Sequence, residues 1–144
     1  MKLKLFLATA AALTIGVSAF AKEPETVSAK AQKQLSIEFK DAQKVSWSTK
    51  AKLLEATFEW NGQKLHTFYN DEGEQVALSR EISMDRLPIK ALQAIKAKYS
   101  DYKAGETIEF SSTEEGLGYY VSLENNGKKV ILSVTPEGSV SVFK

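Results

Sequence analysis

The chain contains no cysteine, which excludes a disulfide framework, thiol catalysis and thiolate metal sites together. It has one histidine, His66, so no pair of imidazoles is available to hold a metal. No glycine-rich phosphate loop occurs among its eight glycines, and nucleotide cradling has no candidate residues. Charge of one sign is also lacking: 19 basic side chains stand against 18 acidic ones. They are interleaved along nearly every segment, whereas a protein that tracks phosphates concentrates Lys and Arg on one face. Nucleic acid is therefore not an expected partner, and no cofactor is implied.

Only one long apolar run exists. Met1-Lys2-Leu3-Lys4 makes a positive start, Leu5 to Val17 is apolar but short for a bilayer span, and Ala19-Phe20-Ala21 fits a signal-peptidase site. The expectation is a signal peptide over residues 1–21, with the product periplasmic or secreted and without stable membrane insertion after cleavage. No cysteine follows the cut to carry a lipid. Cleavage removes two lysines and no acid, leaving 123 residues with a formal charge of −1. That length suits one domain with an ordinary core. Residues 22–26 read as a flexible lead.

What is present is a repeated phrase. Phe58-Glu59-Trp60-Asn61-Gly62-Gln63-Lys64-Leu65 returns as Leu123-Glu124-Asn125-Asn126-Gly127-Lys128-Lys129-Val130, and a second glycine, Gly73 or Gly138, follows each copy at equal distance. Asn-Gly between alternating runs is the signal of a type I′ hairpin. The register follows: Trp60 faces Gln63, Phe58 faces Leu65, Ala56 faces Thr67 and Leu54 faces Tyr69. In the second copy Leu123 faces Val130, Val121 faces Leu132 and Tyr119 faces Val134. Outside, Glu59 faces Lys64 and Glu124 faces Lys129, opposite charges that stabilise a sheet by a few tenths of a kcal/mol.

Before each hairpin lies a helix and a strand. Val27, Ala31, Leu35 and Phe39 stand four apart, one helical stripe over residues 27–39, and Val45 to Thr49 then alternates as a strand. Leu87-Pro88 opens a second helix ending near Tyr99, with Asp85 as its expected cap. Thr107 to Ser111 is the matching strand, with Phe110 aligned to Trp47 at an offset of 63 residues against 65 at the hairpins. Gln75 to Ile82 and Ser139 to Phe143 are fourth strands.

The fold class is therefore α+β: two tandem helix-plus-four-strand antiparallel repeats, residues 27–83 and 84–144, with both helices on one sheet face. A one-sided cover leaves the other face open. That face carries Leu53, Thr57, His66, Phe68, Tyr120 and Ile131, rimmed by Glu59, Lys64, Glu124 and Lys129. Leu53, His66, Phe68, Tyr120 and Ile131 are the candidate partner-binding residues, since an apolar patch rimmed by charge suits a protein interface.

Phe39-Lys40-Asp41-Ala42-Gln43-Lys44-Val45-Ser46-Trp47, then Tyr69-Asn70-Asp71-Glu72-Gly73-Glu74, then Leu87-Pro88 with Ala94-Ile95 and Tyr99-Ser100-Asp101-Tyr102, resemble the PepSY-like family of exported bacterial proteins, also called β-lactamase-inhibitor-like. The resemblance covers nearly the whole mature chain through the order of short motifs. It implies two tandem repeats of that kind and a fold similar to secreted inhibitors whose sheet grips an enzyme. It supplies no catalytic or ligand residues to carry over.

Chemistry is sparse. His66 has Leu65 and Thr67 as strand neighbours and no evident triad or metal partner. Asp71, Glu72 and Glu74, like Glu114 and Glu115, fall in expected loops and read as solvated turns rather than a calcium loop. Trp47, Phe58, Trp60 and Tyr69 read as core. No catalytic or metal residue is assigned. The function expected is a binding module that presents its open sheet face to an envelope protein, inhibiting or modulating an envelope enzyme; the alternative is an envelope protein that captures a small ligand or peptide.

Overall fold

The computed structural model describes residues 26–144. The expected signal peptide, and the lead apart from Thr26, lie outside the described residues. Helix α1 (Ala29–Glu38) starts where the Ser28 side-chain oxygen accepts from the Ala31 amide at 3.3 Å, and stops where the Phe39 amide donates back to the Leu35 carbonyl. Four strands follow: β1 (Gln43–Lys50), β2 (Leu53–Trp60), β3 (Gln63–Tyr69) and β4 (Gln75–Ile82). A single 3-10 turn (Met84–Arg86) leads to helix α2 (Ile89–Lys98), then to β5 (Lys103–Ser112), β6 (Gly116–Asn125), β7 (Lys128–Val134) and β8 (Val140–Val142).

The strands form one eight-stranded antiparallel sheet in sequence order, each paired with the next. Both Asn-Gly hairpins have the expected register, residue for residue, from Leu54–Tyr69 to Trp60–Gln63 and from Tyr119–Val134 to Asn125–Lys128. Asn61 and Asn126 both have φ of 49°, and the following glycines 75° and 78°, the left-handed pair that a type I′ turn requires. The outer charges face each other as expected, yet Glu59 closes its ion pair with Lys44 of β1, at 2.9 Å, rather than with Lys64.

Two expectations at the second helix and its strand are corrected. Asp85 does not cap α2; it sits in the 3-10 turn, and Pro88 takes the cap position without a side-chain bond, because proline's fixed φ already suits the entry to a helix. Phe110 is not the counterpart of Trp47. Trp47 faces Ala56, whereas Val121, 65 residues beyond Ala56, faces Thr107, so the matching offset is 60. The extra five residues lie in the longer β5–β6 hairpin, and Phe110 points to the opposite face from Trp47.

Each helix covers one end of the same sheet face. Ala31, Leu35 and Phe39 pack on Ala56, Phe58, Leu65 and Tyr69; Leu87, Ala91 and Ile95 pack on Val121, Leu123, Leu132 and Val134. The Phe39 ring meets Phe58 at 4.7 Å and Trp60 edge-on at 5.6 Å, distances at which aromatic pairs attract.

Among the described residues the other face carries no helix, and it is not open. Leu53, Phe68, Val76, Ala77, Phe110, Tyr120 and Ile131 form a third buried cluster, with Phe143 against it. These residues come from strands β2 to β7 and the C-terminal tail, so their burial arises from the sheet curling on itself with this face concave. Sheets twist, and bulges add to the bend. Register shifts occur between Gln43 and Ser46, Phe68 and Tyr69, and Ala104 and Thr107. The second admits Val76 as an extra residue in the cluster. The tail closes one side, since the Ile131 amide donates to the Lys144 carbonyl and the Phe143 amide to that of Ile131.

Candidate functional site

The five residues expected to meet a partner separate into two groups. Leu53 is 4% exposed, Phe68 0%, Tyr120 6% and Ile131 9%, so these four pack mostly against one another on the concave face and offer a partner little surface. Alternation assigned them to the correct face; the curl of that face removed them from solvent. His66 offers more, with 18% of its side chain exposed.

His66 is also not alone. Across β2 and β3 it faces Thr57, and its Nδ1 lies 2.9 Å from Glu55 Oε1 and 3.1 Å from Thr57 Oγ1. The second Glu55 oxygen accepts from Ser48 Oγ at 3.1 Å and meets Lys50 Nζ at 3.2 Å. The side chain of Glu55 is only 3% exposed. Burial pushes its pKa up, but the His66 hydrogen bond and the Lys50 charge outweigh burial and hold it below the ordinary carboxylate value. An ionised carboxylate only accepts, so the bonding proton belongs to His66 Nδ1, leaving Nε2 as the uncommitted ring nitrogen. Reading along one strand missed this pair, because its partner stands on the neighbouring strand; the hairpin register carried the signal, since Thr57 opposite His66 puts Glu55 on the diagonal.

Beyond His66 the concave face turns polar and opens. Lys64, Glu81, Glu124 and Lys129 are exposed there and join no salt bridge among the described residues. The bulge in β5 sets Gly105 and Glu106 opposite Ser122, whose hydroxyl donates to the Glu106 carbonyl at 3.4 Å. A cleft of about 600 Å³ lies against this bulge, lined by Lys103, Glu106, Ser122, Glu124 and Lys129 among others. Glu106 Oε2 is buried without a hydrogen-bond partner among the described residues. Desolvation and the nearby Glu81 charge push the Glu106 pKa up, against the pull of Lys129, His66 and Lys64. No group of three or more His, Asp and Glu side chains able to hold a metal occurs among the described residues.

No family model and no curated protein sequence matches the chain. Solved structures match its fold. A DUF2874 family protein of Bacteroides uniformis superposes with a TM-score of 0.74 at 20% identity, over 80% of this chain and 86% of that one. A Bacteroides eggerthii protein provisionally named periplasmic gives 0.74 at 19% identity, over 80% and 86%. A BLIP-like protein of Bacteroides fragilis gives 0.72 at 20% identity, over 82% and 85%. The chain therefore has the BLIP-like α+β fold. Among the described residues no helix is long and apolar enough to cross a membrane.

Proposed function

We propose that this chain is an exported, periplasmic binding module of the PepSY-like kind, built from two helix-plus-four-strand repeats, that docks an envelope protein on the open end of its concave face. The carrying observation is the set of unpaired charges there. Glu106, Glu124 and Lys129 line a cleft, Lys64 and Glu81 stand close enough for their charges to act on Glu106, and none of the five forms an ion pair among the described residues. Such charges cost little on a wet surface and gain most when a partner of complementary charge excludes water. Modulation of an envelope enzyme is the role that suits a surface of this kind. The duplication reading draws support from the two equal hairpins and from Gly73 and Gly138, which sit against Lys30 and Ala31 of one helix and Lys90 and Ala91 of the other.

Charge reversal tests the docking surface. Crosslinking pull-down from the cell envelope with the mature chain recovers a partner, and the double variant Lys64→Glu, Lys129→Glu loses it while its melting temperature stays almost unchanged. Retention of the same partner by the reversed variant overturns the assignment of this surface.

A further inference from the structure

The two halves of the sheet provide an internal comparison. With strands β1 and β5 matched at 60 residues and the hairpins at 65, Ser48, Lys50, Glu55 and His66 correspond to Ile108, Phe110, Tyr120 and Ile131. Backbone pairing agrees: Ser48 faces Glu55 as Ile108 faces Tyr120, and Lys50 faces Leu53 as Phe110 faces Gly118. All four second-half residues are buried and apolar in character. The same four places thus hold a hydrophobic filling in one half and an ion cluster in the other. A buried ion cluster is often no more stabilising than well-packed apolar side chains of similar volume. Packing alone does not account for the charges.

We propose that Ser48, Lys50, Glu55 and His66 form a proton-operated latch, which holds the edge strand β1 to the sheet while Glu55 is ionised and loosens it when Glu55 is neutralised. Glu55 is the hub. It takes Ser48 and Lys50 from β1 on one oxygen and His66 from β3 on the other, so one carboxylate ties three strands. Among the described residues strand β1 has a neighbour on one side only, and its pairing is broken between Gln43 and Ser46. A lost latch is therefore felt there before it is felt elsewhere. On the concave side Glu55 faces Ser48 and Lys50 of β1, Leu53 and Thr57 of its own strand, and His66 and Phe68 of β3. Next to His66 stand Ser79 and Glu81 of β4, and the Glu106 charge of β5 is within its reach. Helix α1 covers the opposite face.

The direction with pH follows from the Glu55 carboxyl, whose folded value lies below the ordinary 4.5. Its contribution is complete above the unfolded value and is lost as pH falls through the folded one. The latch is closed near neutrality and opens in acid. A second ion pair, Lys44–Glu59, also joins β1 to β2, but both side chains are largely exposed, so salt screens it while sparing the buried cluster.

The test is amide hydrogen exchange, corrected for intrinsic rates, at pH 6 and pH 3 in about 0.5 M salt, where the screening length is only a few ångströms. In the wild-type chain local opening of the edge strand is expected to cost the β1 amides at least about tenfold more protection than the β8 amides. Glu55→Gln, which removes the charge and keeps the shape, should show weak β1 protection already at pH 6 and little further change. The fourfold variant Ser48→Ile, Lys50→Phe, Glu55→Tyr, His66→Ile copies the second half and should hold β1 equally at both pH values. If it fails to fold, the wild type and Glu55→Gln still decide. Equal loss at β1 and β8 in the wild type, or an undiminished pH response in Glu55→Gln, overturns the latch.

Discussion

Gly62 and Gly73 share a left-handed φ, 75° and 73°, yet a side chain would meet different surroundings at each. At Gly62 a β-carbon has nothing within 4 Å; at Gly73 it would stand 2.9 Å from Lys30 Cβ and 3.1 Å from the Ala31 amide. The turn after β3 is thus seated on the first turn of α1. Gly62→Ala should cost only the backbone penalty, about 1 kcal/mol. Gly73→Ala adds the displaced helix and should cost at least about 2 kcal/mol; urea midpoints of the two variants measure the difference. Tyr69 is a second residue with an unequal account. Its hydroxyl is buried without a hydrogen-bond partner among the described residues. Burial lifts its pKa to about 12 from 10.0, so its contribution is full below pH 10 and falls away as pH rises through the folded value. Tyr69→Phe should leave stability at pH 7 equal or higher and flatten the loss of stability between pH 10 and 12, read by denaturant titration.

At the level of elements, local patterns were legible and shape was not. The Asn-Gly corners and the alternation around them specify register, because a one-residue slip would turn every inner side chain outward. Alternation also places Phe68, Tyr120 and Ile131 on the face away from the helices. It carries no information on curvature, which accumulates from strand twist and from bulges, at Val76, which no glycine marks, and at Gly105-Glu106, where a lone glycine is the one sign. Phe68 therefore looked like a docking residue and is 0% exposed. The Trp47–Phe110 match failed for a related reason: both are aromatic on the strand after a helix, but a longer β5–β6 hairpin shifts the pairing. The Glu55–His66 contact was readable once the hairpin register was known. Phe68→Ser should cost about 3 kcal/mol or more, by loss of burial and a cavity in the concave core. A melting temperature near that of the wild type would mean that the concave face is open.

For the whole molecule, the curl divides one sheet face into a packed floor and a charged mouth, and the two have opposite demands. The floor stabilises; the mouth keeps Glu106 in a position that the fold does not favour. With its folded pKa raised by desolvation and by Glu81, Glu106 favours the folded state most below about pH 4.5, and that contribution is lost as pH rises through the folded value. Glu106→Gln removes the ionisation and should therefore raise stability at pH 7, by less than about 1 kcal/mol since solvent screens much of the effect, and the gain should vanish near pH 4. Denaturant titrations of both proteins at the two pH values measure it. The same substitution deletes one charge from the proposed docking surface, so recovery of the envelope partner should fall while stability rises. A variant that gains stability at pH 7 with undiminished capture would separate Glu106 from docking, and one that loses stability would show that the carboxylate serves the fold.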